Sequence, residues 1–326
     1  MLELEFTAAD LARTRFALSP LWEVVASVRV LKRPAEHPLL RPWSALAGPA
    51  LAASGVDWGL LSGLVPVPTR LIPGFVCPPP STPVPDLGVE LATLRATPPE
   101  AVREGVDALP APRTAEIAAL RENPGRELGR LADGIAHYWD VALAPHWPRI
   151  RTLLESDVLH RARRLAEGGT QRLFDDLDPQ VSWEEGTLRL AHRHVSGVRG
   201  LGGRGLLLVP SAFIWPRIFS VTSLAGSGGQ PALRYPPRAV GTLWQPAHTT
   251  PSEALAQVLG RSRATLLAEL ESPECTTELA RRSGLSPGGV SQHLKLLHAA
   301  GLVSAHRAGH RVLYARTVRG EALLTG

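Results

Sequence analysis

Between Thr276 and Gly301 the chain reads TTELARRSGLSPGGVSQHLKLLHAAG, and almost every residue of that run restricts the backbone. Glu278 falls in the first turn of a short helix, where a negative charge meets the positive end of the dipole. Leu279 and Ala280 provide a face to bury. Gly284 can take the left-handed conformation that ends a helix. Leu285 follows as an apolar plug for the corner. Ser286 then caps a second helix, and Pro287 suits its first position, where no amide donor is needed. Val290, Leu294 and Leu297 recur at helical spacing, whereas Ser291, Gln292, Lys295 and His298 leave that face. The spacing predicts two short helices joined by a tight corner, the second amphipathic with a polar side that begins at its N-terminus.

A helix of that kind enters a DNA major groove with its first residues on base edges. Gly288 and Gly289 each cost about 0.8–1 kcal/mol in helix propensity relative to Ala, and their missing side chains let a backbone approach DNA closely. Gln292 has the paired donor and acceptor that match adenine, and Lys295 has the reach and charge for a phosphate. Next comes an apolar run, Leu302 to Ala305, a basic tip, His306-Arg307-Ala308-Gly309, and a return run, His310 to Arg316. This strand-turn-strand is a basic wing, placed for a minor groove or flanking phosphates. From 251 to 326 there are nine Lys and Arg against six Asp and Glu. The expected DNA contacts are Thr276, Thr277, Ser286, Pro287, Gly288, Gly289, Ser291, Gln292, His293, Lys295, His310 and Arg311.

The order ELA, GLS, VSQHL, L, AGLV, G, Y resembles the ArsR class of winged helix-turn-helix repressors over about residues 252–326. The resemblance implies that Ser286 to Lys295 is the DNA-reading helix and that His310 and Arg311 belong to the wing. It also implies a homodimer on a palindromic operator, gripping or releasing DNA according to a ligand. Arsenic sensors of this class carry a CxC pair before the turn. Here the stretch is Cys275-Thr276-Thr277, and a single thiolate cannot build that site within a subunit. Other members place His, Asp and Glu ligands after the wing, where Val318 to Gly326 offers only Glu321. No metal and no cofactor is expected. The opening ADLARTRFALSPLWEVV is similar to an uncharacterised domain found in front of such winged helices in GC-rich bacteria.

The rest of the chain is organised differently. Residues 2–6 alternate apolar and acidic like a short strand, and Thr7 with Asp10 reads as a helix start. Helix is expected from there to about Val30, interrupted at Ser19-Pro20. Eight prolines between Pro66 and Pro85 prevent regular structure and suggest a mobile lid or a connector. Leu128, Leu131, Ile135, Tyr138 and Ala142 mark one buried helical face; Ile150, Leu153, Leu154, Val158, Ala162 and Leu165 mark another. Short strands are expected at Thr187–Leu190, Leu206–Val209 and Ala232–Tyr235. All eight tryptophans precede residue 245, which supports a boundary near 246–251. The expected fold class is α+β. A mostly helical N-terminal domain (1–245, helical to about 178, β-containing over 180–245) precedes a linker at 246–251 and a winged helix at 252–326.

Several other patterns have plainer readings. Gly200, Gly202, Gly203 and Gly205 form a GxGxxG, but a strand-like run follows where a dinucleotide site needs a helix, so a Gly-rich hairpin turn is expected. His192 and His194 alternate on a strand without a third metal ligand nearby. Ser211 lacks a GxSxG elbow. His137, Tyr138, Trp139 and Trp147 cluster around a helix end and are the candidate lining of an effector pocket. The two cysteines, Cys77 and Cys275, define no disulfide framework. The net charge of +5 permits nucleic-acid binding without demonstrating it. The acidic Met1–Glu5 start is unlike a signal peptide and no apolar run is long enough for a membrane helix, so a cytoplasmic location and no membrane partner are expected. The expected function is a sequence-specific transcription regulator, homodimeric and repressor-type, controlled by an unknown small molecule through its N-terminal domain. The alternative is an enzyme or an interaction scaffold that carries a winged helix as an appendage.

Overall fold

The structure, a computed structural model, describes residues 1–69, 71–111, 113–175, 177–191, 195–221, 229–244, 253–271, 273–308 and 311–325. The chain divides into two compact units. The first comprises Met1–Trp147 with Leu165–Pro236, and the second Pro148–Arg164 with Pro237–Gly326.

The first unit opens with β1 (Leu2–Glu5), whose alternation places Leu2 and Leu4 in the core. Thr7 then starts α1 (Ala8–Arg13) through a reciprocal capping box with Asp10. A two-residue strand, β2 (Arg15–Phe16), precedes α2 (Pro20–Lys32), which Ser19 caps by accepting from the Trp22 amide at 3.0 Å. The expected helix is thus broken earlier than Ser19-Pro20: it ends at Arg13, a short strand follows, and Ser19-Pro20 starts a new helix. Further helices follow as α3 (Arg41–Ser54), α4 (Gly59–Leu64), α5 (Leu87–Arg95), α6 (Pro99–Asp107), α7 (Ala115–Glu122) and α8 (Pro124–Ala142). Leu128, Leu131, Ile135, Tyr138 and Ala142 of α8 are all buried, as their spacing predicts. The Trp43 indole of α3 donates to the Ala142 carbonyl at 2.9 Å.

The proline-rich segment is irregular apart from a 3-10 turn at Gly74–Val76, but it is tied down. Val76 and Cys77 are buried, and the Pro83 carbonyl accepts from the Leu18 amide at 2.8 Å. Residues without a repeating hydrogen-bond pattern are held here by burial.

Helix α9 (Trp147–Phe174) leaves helical geometry at Gly168 and Gly169. Beyond it lie β3 (Val181–Glu184), β4 (Thr187–Leu190), β5 (Gly197–Gly200), β6 (Leu207–Pro210), β7 (Phe219–Val221) and β8 (Ala232–Tyr235). They form two sheets with the early strands, ordered β3-β4-β1-β5 and β2-β6-β8-β7. Strands β6 and β8 are parallel and buried along their whole length, which accounts for their nearly continuous apolar sequence. The glycine run at 200–205 corrects the expected hairpin. It joins β5 of one sheet to β6 of the other, and these strands do not pair with each other. His192, Arg193 and His194 lie outside the described residues.

The second unit contains residues 148–164 of α9, then α10 (Glu253–Leu259), α11 (Arg261–Glu269), β9 (Glu274–Cys275), α12 (Thr276–Ser283), α13 (Pro287–Ala299), β10 (Val303–Ala308), β11 (Arg311–Arg316) and α14 (Val318–Thr325). Strands β10, β11 and β9 form an antiparallel sheet in that order. The α9 face departs from expectation. Ile150, Leu153 and Leu154 are buried, but Ala162 and Leu165 are exposed, and Ser156, Asp157 and Arg161 are buried instead. The Arg161 guanidinium lies 3.6 Å from the Asp157 carboxylate one turn away, a pairing that lets a charged face be buried. Asp157 also accepts from the Arg238 amide at 2.9 Å, and the Ser156 hydroxyl donates to the Pro273 carbonyl. The expected linker at 246–251 lies outside the described residues. Among the described residues no helix is long and apolar enough to cross a membrane.

Candidate nucleic-acid interface

Helices α11, α12 and α13 and the strand β10 share one core. Leu266, Leu267, Leu270, Leu279, Val290, Leu294, Leu297 and Val303 are buried together, with Leu285 packed against them from the corner. Burying each such side chain contributes about 1.5–3 kcal/mol, so the three α13 anchors fix the rotation of that helix. Gly284 ends α12 at φ 71°, in the left-handed region. The Ser286 hydroxyl accepts from the Gly289 amide at 3.2 Å, and Pro287 occupies the first helical position.

With Val290, Leu294 and Leu297 inward, the opposite side of α13 is set. Gly288, Gln292 and Lys295 lie four and three residues apart on one exposed face. Neither Gln292 nor Lys295 has an intramolecular side-chain partner among the described residues, so both polar ends remain available. A Cβ at Gly288 would meet nothing within 4 Å. The fold itself therefore does not require glycine there, and its absent side chain only widens access to the start of the helix.

The remaining expected contacts fall on both sides of this face. Ser286, Pro287 and Thr277 are exposed, while Ser291, Gly289 and Thr276 are half-buried. His293 is half-buried, and its Nδ1 is shielded from solvent without a partner. Strands β10 and β11 run longer than the sequence suggests, so His306 and Arg307 lie within β10 rather than in the turn. Residues 309 and 310, including His310, lie outside the described residues, as does the Arg311 side chain.

Acidic residues already engage the arginines of α12. Arg281 donates to Glu278 at 3.0 Å, and Arg282 reaches both Glu269 and Glu274. Arg149 of α9 lies 3.9 Å from Glu278. Burial, reinforced by the neighbouring Glu278, pushes the Glu274 carboxyl up to about 7. Sequence reasoning missed this network because Glu269, Glu274 and Arg282 follow no motif. Its effect is to neutralise α12, leaving Lys295 of α13 as a cation with no ion pair among the described residues.

In the first unit, the proposed effector residues separate. Tyr138 is fully buried, bonded to the Ser27 hydroxyl at 2.9 Å and packed 5.8 Å from the Trp58 ring. His137 is exposed, and Trp139 meets Trp147 edge-on at 5.0 Å. Consecutive residues on a helix point about 100° apart, so the four do not converge. The buried polar groups of this unit lie elsewhere. Glu23 accepts from the Ser211 hydroxyl and the Ala212 amide, each at 3.0 Å, and burial pushes its carboxyl up to about 8. Glu90 accepts from the Ser19 hydroxyl at 2.6 Å and the Leu21 amide at 2.8 Å, and burial raises it to about 7. Arg234 donates to the Cys77 carbonyl at 2.7 Å and stacks 4.1 Å from the Trp22 ring. No sequence motif announces them, since each charged residue is isolated within an apolar run.

No group of three or more His, Cys, Asp and Glu side chains is arranged to hold a metal ion among the described residues. Residues 265–305 match the family model of the bacterial regulatory proteins, arsR family. The match runs from within α11 to within β10 and includes α12 and α13 whole, so the chain carries an ArsR-type helix-turn-helix in its C-terminal region. No curated protein and no solved structure matches the chain.

Proposed function

We propose that this protein is a sequence-specific DNA-binding regulator of transcription, a homodimeric repressor acting on a palindromic operator. In this reading residues 252–326 bind DNA, 246–251 are a linker, and 1–245 provide dimerisation or sensing of a small molecule. The observation that carries it is the exposed Gly288-Gln292-Lys295 face of α13, beginning at a capped N-terminus, with both polar side chains unengaged. Base edges and phosphates are the chemistry that such a face fits. The family match over 265–305 supports the same reading. In this reading Glu23 and Glu90, both buried and each held by two protein donors, are structural groups of a non-enzymatic domain. A cytoplasmic location accompanies this function.

Genome-wide mapping of bound DNA, followed by titration of the recovered site with the purified full chain, tests the proposal. Enrichment of a two-fold symmetric sequence bound by two chains is the expected result. Binding without sequence preference, or no binding at low salt, would overturn it.

A further inference from the structure

Arg29 lies on α2, two turns beyond Trp22, so the two side chains share a face of the helix. The Phe219 ring of β7 sits between them, 5.5 Å from the Trp22 ring and 4.8 Å from the Arg29 guanidinium. Arg29 is only 4% exposed, yet among the described residues its side chain makes no hydrogen bond and no ion pair. Stacking on Phe219 uses the flat face of the guanidinium and leaves its N–H edges undirected. The Nη1 nitrogen of this guanidinium is buried without an acceptor, and such an atom is disfavoured because its donors have lost water and gained no partner.

The surroundings make the imbalance larger. Burial and the nearby Arg217 bring the Arg29 pKa down to about 10. His37, itself buried, feels both arginines, and its Nδ1 contacts the Trp215 carbonyl at 3.3 Å. The nearby carboxylate is Glu36, which is engaged by Arg33 at 2.7 Å. Arg217 is exposed and has no side-chain partner among the described residues. The Trp22 indole N–H is also buried without an acceptor. Among the described residues, donors and positive charge are therefore in excess around Arg29, and no carboxylate pairs with it.

We infer that Arg29, with Arg217 beside it, forms an oxyanion site in the first unit, which takes a small ligand through a carboxylate or phosphate group. The fixed fork of a guanidinium fits either group with two parallel hydrogen bonds. Stacking on Phe219 holds that fork in one orientation, and Arg217 supplies the second charge at the solvent side. Anion binding stands independently of DNA binding; only its use as a regulatory signal rests on the proposed function.

Calorimetric titration of the full-length protein in chloride buffer of constant ionic strength tests the site, with inorganic phosphate and benzoate as separate probes. Saturable binding of one probe is expected, and the probe that binds names the group recognised. Arg29→Met should weaken that binding at least tenfold and raise the thermal midpoint in the same buffer without either probe, because an unpaired buried charge is gone. Arg217→Gln, at an exposed position, should fold normally and weaken binding severalfold. No saturable heat with either probe would overturn the site, as would unchanged affinity in Arg217→Gln or in a folded Arg29→Met. The same probes added to a DNA titration then separate the two readings: anion binding without any change in DNA affinity removes the regulatory role alone.

Discussion

The Ser211 hydroxyl donates a 3.0 Å hydrogen bond to the carboxylate of Glu23, joining the loop after β6 to the first turn of α2 across 188 positions of sequence. The Ala212 amide completes the grip at 3.0 Å. A carboxyl so enclosed favours its protonated form, which places its folded-state pKa near 8, above the ordinary 4.5.

The sign of the resulting pH dependence follows from linkage. The folded state holds the Glu23 proton more tightly than the unfolded chain does. Its contribution is full below about pH 4.5 and is lost as pH rises through about 8. Glu90 acts in the same direction up to about 7. Denaturant titrations of wild type at pH 5 and pH 8.5 should therefore show lower stability at the higher pH, by about 1.4 kcal/mol per pH unit at most for each group. Glu23→Gln keeps the acceptor for Ala212 and removes the titration, so its stability should vary less with pH. An unchanged slope in the variant would show that Glu23 is not the titrating group.

Gln292 is exposed on α13 with no intramolecular partner among the described residues. Gln292→Ala should weaken binding to the recovered operator by about 1–3 kcal/mol and relax preference at one base pair. Competition assays with single-base operator variants measure both effects. Equal affinity of wild type and variant across all of these DNAs would remove Gln292 from base reading.

Lys295 should act through charge. Lys295→Gln is expected to weaken binding to operator and to scrambled DNA alike, and to reduce the slope of log K against log salt by about 0.9. If only operator binding fell and the salt slope stayed the same, Lys295 would be a base contact instead.

Gly205 should be the least replaceable residue of the 200–205 run. Its φ is +73°, and a Cβ there would lie 2.5 Å from the Arg13 carbonyl carbon. Strain and collision act together, so Gly205→Ala should destabilise the protein by about 2–4 kcal/mol. Gly202 has a similar φ of +65° but its nearest neighbour is the Arg204 side chain at 3.9 Å. Gly202→Ala should cost only the backbone strain, about 1–2 kcal/mol. Equilibrium denaturation of both variants checks the difference, and equal losses would mean that the approach of Arg13 is not limiting.

Local chemistry by itself determined the elements whose boundaries rest on neighbouring residues. Ser286 with Pro287, Gly284 after Ser283, and Thr7 with Asp10 each mark a helix end through a cap or a permitted φ, and the structure places helix ends at all three. The inward set Val290, Leu294 and Leu297 repeats with the helical period, so the exposed face of α13 was legible before any packing was known. Tertiary structure alone decided what depends on distant partners. The strand β9 exists because Cys275 and Glu274 pair with Leu313 and Tyr314, and two residues carry no period of their own. Residues 148–164 join the second unit through Ser156, Asp157 and Arg161, a polar face that hydrophobic periodicity assigns to solvent. Glu23, Glu90 and Arg29 are ordinary charged residues in the linear chain. Only when α2 is enclosed do they lose water, and a group's surroundings in space, not its neighbours in sequence, then set its pKa and its need for a partner.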